Sequence, residues 1–281
     1  MTDSTNSSNN HKHTQNFDNN LKKAFDDFVR SFKYWRIFYL IGISDIRKRY
    51  ARSSIGQFWL TLSLAINITT IGIIWSVLFK TSLPDYLPHL ATGMLFWLYI
   101  SSCITDGSNI YISSTGYLIG LSLPKLSYIN SLFVKNIIIL VHNLPVIVVT
   151  YLICMQKISI GALFVALSGF VCTSIFLFPI TIILAIFSVR FRDFPNIIAS
   201  IIQVVFYATP IMWKIESIPS RFHDYILLNP LAIFLSLCRD PLLEITIPHQ
   251  YWLAAICYII TSWIIAILFF SKFRHRITYW L

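Results

Sequence analysis

The sequence predicts an all-α integral membrane protein with six transmembrane helices, an N-terminal amphipathic interfacial helix and short external re-entrant helices. Three observations predict it. Of the 281 residues, 56% are hydrophobic and 12% charged, against about 45–50% and about 25% in a typical soluble domain, so a water-soluble surface cannot be built. A window of about 19 residues finds several apolar runs near or above the ~18 residues that cross a bilayer. The Lys and Arg residues, which outnumber Asp and Glu 22 to 12, fall unevenly on the two sides of those runs.

Taken in order, residues 1–20 are rich in Asn, Ser, Thr and His with almost no apolar content, too little to offset the entropy of folding, and read as a disordered cytoplasmic tail. His11 and His13 form at most a weak metal-binding tract there. Residues 21–57 change character. Phe32, Trp35, Tyr39, Ile43, Ile46 and Tyr50 recur at spacings of three and four, which sets them on one helix face. Lys33, Arg36, Asp45, Arg47 and Lys48 interrupt the run, so this helix is expected to lie along the interface. A generic membrane anchor and a gating or docking role both fit it.

Residues 58–281 then form the transmembrane domain, with spans expected at Phe58–Phe79, Leu90–Ile112, Leu132–Cys154, Ile160–Val189, Ile197–Met212 and Gln250–Phe270. Six crossings put both termini on one side. Seventeen of the 22 Lys and Arg residues then share that side, and Lys80, Lys157, Lys214, Arg221 and Arg239 fall on the other. The positive-inside rule makes the richer side, with both termini, cytoplasmic. The first span begins too far from the N-terminus for a signal peptide and is expected to be retained. Tyr225–Cys238 is too short for a straight crossing and is interrupted by Asn229-Pro230, so it is expected to form re-entrant or surface helices outside. The five cysteines are scattered and show neither a disulfide framework nor a zinc spacing.

Chemistry-bearing groups are sparse. An ionisable residue inside a membrane is the usual mark of an ion or proton pathway, but Asp106 and Lys135 lie near span ends, which leaves His142 as the deepest candidate. A lone His among apolar residues reads as a structural, hydrogen-bonded side chain, which disfavours a proton- or sodium-coupled carrier. Asp26-Asp27 is the only adjacent carboxylate pair and reads as a solvated helix face, with no second acidic cluster to hold magnesium. The P-loop pattern is missing, so ATP must be handled by a partner, and nothing suggests an independent enzyme. Aromatic residues make up 16% of the chain and gather at span ends, as an interfacial belt would. Flat aromatic faces also suit a path along which a glycan slides, and Trp75, Phe206, Tyr207 and Trp213 are the candidates.

Several local patterns occur in an order that covers nearly everything from Asp45 onward. They are Arg47-Lys-Arg-Tyr-Ala-Arg-Ser-Ser-Ile-Gly56-Gln-Phe-Trp59, Gly93-Met-Leu-Phe-Trp97, Leu123-Pro124-Lys125, Val189-Arg-Phe-Arg-Asp193, Thr209-Pro-Ile211, Leu228-Asn-Pro-Leu231 and Cys238-Arg-Asp240. With these the chain resembles the permease subunit of type-2 ABC exporters, in the polysaccharide and polyol phosphate branch that includes O-antigen, capsule and teichoic acid exporters. The resemblance implies a multi-pass protein of the bacterial inner membrane, two copies forming the pathway and two ABC ATPase subunits docked beneath. No cofactor is expected on this chain, with ATP and Mg on the partner, and no nucleic acid. The expected cargo is a polyprenyl-linked glycan, O-antigen type first, then capsular polysaccharide or teichoic acid, then drugs or small lipids.

Residue roles follow from the same resemblance. Arg47, Arg49 and Arg52 would meet the carrier phosphate, whose oxygens match a planar guanidinium. Pro124, Lys125, Arg190, Arg192 and Asp193 would couple to the ATPase. Asn229, Pro230 and Arg239 would belong to an external gate, with Asn229-Pro230 starting a helix and Arg239 pairing with Asp240. The positive-inside rule accounts for the basic residues equally well.

Overall fold

The computed structural model describes residues 21–51, 53–121, 123–215, 219 and 228–281. The expected disordered tail, Arg52 and the first part of the 225–238 segment lie outside them. All regular structure among the described residues is helical.

The expected interfacial helix is two helices, α1 (residues 21–33) and α2 (Trp35–Tyr50), broken at Tyr34, which takes φ −91° and ψ 29°. The stripe that packs on the rest of the protein is also not the aromatic one. Ala24, Asp27, Ser31, Ile41 and Ile46 are buried, whereas Phe32, Trp35 and Tyr39 are about half exposed. The periodicity was real, but only Ile46 of that face turns inward among the described side chains. The outward aromatic face is free for lipid contact. Asp27 corrects the solvated reading of Asp26-Asp27: it is buried, and Arg274 donates to its Oδ1 at 3.2 Å.

Among the described residues, five helices are long and apolar enough to cross a membrane: α3 (Phe58–Phe79), α4 (Leu83–Ser113), α6 (Leu126–Ile153), α7 (Ile160–Arg190) and α10 (His249–Phe273). A short α5 (Thr115–Gly120) joins α4 to α6. The centre of the bundle is α4, flanked by α3, α6 and α7. It contributes Leu90, Leu95, Ile100, Cys103 and Tyr111 to the core at 1% exposure or less. By contrast, α3 and α10 bear rows of exposed aliphatics such as Ile66, Ile73, Val77 and Ile256, Ile260, Ile264, a surface that suits lipid.

The fifth expected span departs from the sequence reading. Helix α8 (Phe194–Ala208) has 15 residues and reaches only about 22 Å at 1.5 Å per residue, short of the ~30 Å hydrocarbon core. It stops because Thr209 precedes Pro210 and is pushed to extended backbone, φ −99° and ψ 138°. Non-helical backbone at membrane depth must be enclosed by protein. Thr209, Pro210, Ile211 and Met212 are all buried, as that requires.

Helix α9 (Pro230–Arg239) is followed by a 3₁₀ turn at Asp240–Leu243. It is not a surface helix: Ile233, Phe234, Leu235, Leu237 and Cys238 are fully buried against α7, α4 and α10. Gly169 of α7 makes this possible, since a Cβ there would collide with the Leu237 carbonyl oxygen. After α10 the chain ends in a 3₁₀ turn and α11 (Ile277–Trp280).

Candidate functional site

The break after α8 is the best-anchored irregular segment of the described chain, because side chains from two helices hold it nearly residue by residue. Asn229 Nδ2 donates to Thr209 Oγ1 at 3.1 Å. The Arg239 guanidinium donates to the Pro210 carbonyl. Tyr86 on α4 donates its hydroxyl to the Met212 carbonyl at 2.7 Å, and the His89 ring bonds the Trp213 backbone. Gly93 lies beneath, where a Cβ would meet the Ile211 carbonyl oxygen at 3.4 Å. An otherwise unpaired backbone is thereby satisfied without helix geometry.

The anchors are themselves held. Asn229 caps α9 by accepting from the Leu231 and Ala232 amides, as Asn before Pro at a helix start should. Arg239, 2% exposed, pairs with Asp240 at 2.7 Å and reaches His89 Nε2 at 3.5 Å. Of the residues expected at an external gate, Asn229 and Arg239 therefore meet on the segment that ends α8, and Pro230 begins the helix between them.

Three of the four aromatic candidates adjoin the same break. Phe206 lies 5.8 Å from the buried ring of Trp97 and 5.2 Å from Tyr207. Trp213 folds back so that its Nε1 donates to the Tyr207 carbonyl at 3.1 Å, and Tyr207 is 70% exposed. Trp75 is separate: it sits on α3, whose main neighbours are α4 and α6, and packs partly into the core.

At the opposite end the coupling candidates divide. Pro124 is buried, and the Lys125 ammonium donates to the Arg274 carbonyl, next to the Asp27–Arg274 pair. Burial and the nearby Arg274 charge push Lys125 down to about 8, against the pull of Asp27. Burial raises the Asp27 carboxyl above its ordinary value, opposed by Arg274. Arg190 lies 5.1 Å over the Trp280 ring, and Arg192 donates to the Leu281 carbonyl at 2.8 Å. Asp193 caps nothing with its side chain at the start of α8. These cations tie the C-terminal turn to the helix ends.

Arg47 and Arg49 are exposed at the end of α2. Arg49 borders a polar cavity of about 530 Å³ with Lys48, Tyr117 and the Asp106–Lys135 pair, whose charged atoms are 2.7 Å apart. Arg52 lies outside the described residues. His142, the deep candidate, has its Nε2 buried without a hydrogen-bond partner, while its backbone carbonyl accepts from Thr61.

No protein-family model matches the chain. Individual proteins do. Over 239 residues it is 24% identical to the O-antigen export system permease protein RfbA of Klebsiella pneumoniae, covering 84% of this chain and 92% of that protein. A second K. pneumoniae protein of the same name is 24% identical over 240 residues, and RfbA of Myxococcus xanthus 21% over 232, or 81% and 89% of the two chains. The chain is similar over most of its length to O-antigen export permeases. The resemblance drawn from ordered motifs therefore holds, and so does the all-α membrane architecture.

In this chain the sequence motifs correspond to physical joints. Thr209-Pro-Ile211 is the break after α8, Leu228-Asn-Pro-Leu231 its cap, Cys238-Arg-Asp240 its clamp, and Gly93 the floor beneath it. Tyr86 and His89 were missed. Nothing local marks either residue; the signal is their place one helical turn apart on α4, both turned toward the break.

Proposed function

We propose that this chain is the permease subunit of an ATP-driven exporter that moves lipid-linked, O-antigen-type polysaccharide outward across the bacterial inner membrane. The observation that carries the reading is its similarity to O-antigen export permeases across 84% of the chain and 92% of the relative. A match of 239 residues is far longer than one shared helix would give.

The physical features agree. The chain has long apolar helices and an aromatic stretch, Phe206, Tyr207 and Trp213, beside the buried break. Aromatic faces contact sugar rings without fixing their orientation. Two ATPase subunits, carrying ATP and Mg, would dock at the basic end, where Arg190, Arg192 and Asp193 stand exposed. A second copy of the chain would complete the pathway, with Ile197, Ile201 and Val204 of α8 presenting an exposed apolar row. Arg47 and Arg49, with Arg52, would meet the diphosphate of the polyprenyl carrier at the inner face.

Depleting the protein in its native cell and quantifying lipid-linked glycan on each side of the inner membrane tests the reading. Glycan accumulating inside and vanishing from the surface is the expected outcome. Unchanged surface glycan sinks it.

A further inference from the structure

The end of the molecule that carries Arg239 holds a cavity of about 1040 Å³ that none of the path residues lines. It is enclosed by the start of α4, the loops before α7 and after Trp213, the 3₁₀ turn after α9 and the start of α10. We propose that this cavity is a carbohydrate-binding site that takes the polysaccharide as it leaves the protein; the inference rests on the export reading above and adds a site to it.

Its lining has the chemistry for a polyhydroxylated, weakly charged ligand. Gln156 and Gln250 each offer a donor and an acceptor. Thr81 and Thr246 add hydroxyls, and Tyr251 an aromatic face. The charges nearly balance: Arg239 and Asp240 neutralise each other at 2.7 Å, and Ser82 donates to the Asp85 carboxylate. Lys80 and Lys214 are the remaining cations of the wall, too few for a site that selects a strongly anionic ligand. An apolar cargo is equally ill-suited, because it would strand the buried polar groups of the wall. The volume lies at the upper edge of the ~300–1,000 Å³ of ligand pockets.

Position supplies the second argument. Lys214 and Ile215, which line the cavity, directly follow Trp213, so the cavity begins where the aromatic stretch ends. Its rear wall is His89 and Arg239, 5% and 2% exposed, the same side chains that hold Trp213 and Pro210. A sugar seated here touches the residues that anchor the break.

The test uses the full chain in lipid nanodiscs and, as probe, lipid-free O-polysaccharide released by mild acid from the same cells. Saturation-transfer NMR on the wild type should show sugar protons in contact with protein. Replacing the exposed pair, Gln156→Ala with Gln250→Ala, should weaken binding about tenfold, as expected for two lost neutral hydrogen bonds. Thr246→Trp, which fills the cavity from an exposed position, should abolish it. No binding to the wild type overturns the proposal and leaves a water-filled vestibule; so does binding that both variants leave unchanged. Neither result touches the export reading, which fails only if depletion leaves surface glycan intact.

Discussion

Arg239 concentrates several demands on one side chain. It is buried, charged, paired with its neighbour Asp240 and donating to a carbonyl 29 residues away in sequence. A buried pair is not strongly stabilising in itself, but removing one partner leaves an uncompensated charge at a cost of about 3–5 kcal/mol. Arg239→Met should therefore lower the thermal unfolding midpoint sharply, and adding Asp240→Asn should restore part of it. A midpoint unmoved by Arg239→Met would show the pair to be solvated. Lys125 allows a test by pH. Its folded value, about 8, lies below the ordinary 10.5, so between these values the unfolded chain binds more protons and stability rises with pH. The contribution is fully present above 10.5 and lost as pH falls through 8. Asp27 is shifted upward instead, and its contribution is confined to acid, lost as pH rises through its folded value. Warming the purified protein at pH 7 and pH 10 should show a gain at the higher pH that Lys125→Met lacks.

At the scale of elements, the decisive contact is α9 against α7. Thr173 of α7 donates to the Gly169 carbonyl and lies 3.3 Å from both the Phe234 carbonyl and Cys238 Sγ, so the two helices meet backbone to side chain with no layer between. Gly169→Leu puts a side chain where the Leu237 carbonyl stands. Overpacking of this kind costs typically about 1–3 kcal/mol, and α9 must lift away. Cys238, now fully buried, should become reactive to maleimide in the variant, read by mass spectrometry at that residue; continued protection would mean that α7 yields instead. The sequence reading found this region and left re-entrant and surface placements open; burial decides against the surface one. Hydropathy locates long apolar helices well, and Phe58–Phe79 agrees to the residue. It cannot separate a short apolar helix on the surface from one wedged into the core, because Tyr225–Cys238 has the same composition in either place. The Thr209-Pro210 break was visible as a motif, yet a window average ran the span through to Met212. Arg239 with Asp240 and Asn229 with its cap were legible as neighbours. The contacts of Arg239 with His89, 150 residues apart, and of Tyr86 with Met212 come from packing alone.

The whole molecule has two chemically different ends. One end gathers Lys125, Arg190, Arg192, Lys272, Arg274 and Arg276, joined through Asp27 and the C-terminal turn. The other has Lys80, Lys157 and Lys214 around Asp85, Asp240 and Glu244, with Glu244 accepting from the Ser159 amide at 2.7 Å. Among the described residues, Lys125, Arg190, Arg192, Lys272, Arg274 and Arg276, counted on the cytoplasmic side, share one end of the bundle, and Lys80, Lys214 and Arg239, counted outside, share the other. The positive-inside rule predicts that the first of these ends faces the cytoplasm. Single cysteines placed at exposed Lys157 and Lys272, in a chain whose own cysteines are replaced by Ser, decide it. An impermeant maleimide added to intact spheroplasts should label position 157, whereas position 272 should react only after lysis. The outer cavity would then open away from the cytoplasm, where an emerging polysaccharide could reach it. The reverse labelling would put the break, its clamp and the cavity on the inner face, and an exporter built this way round would receive its cargo where it is expected to release it.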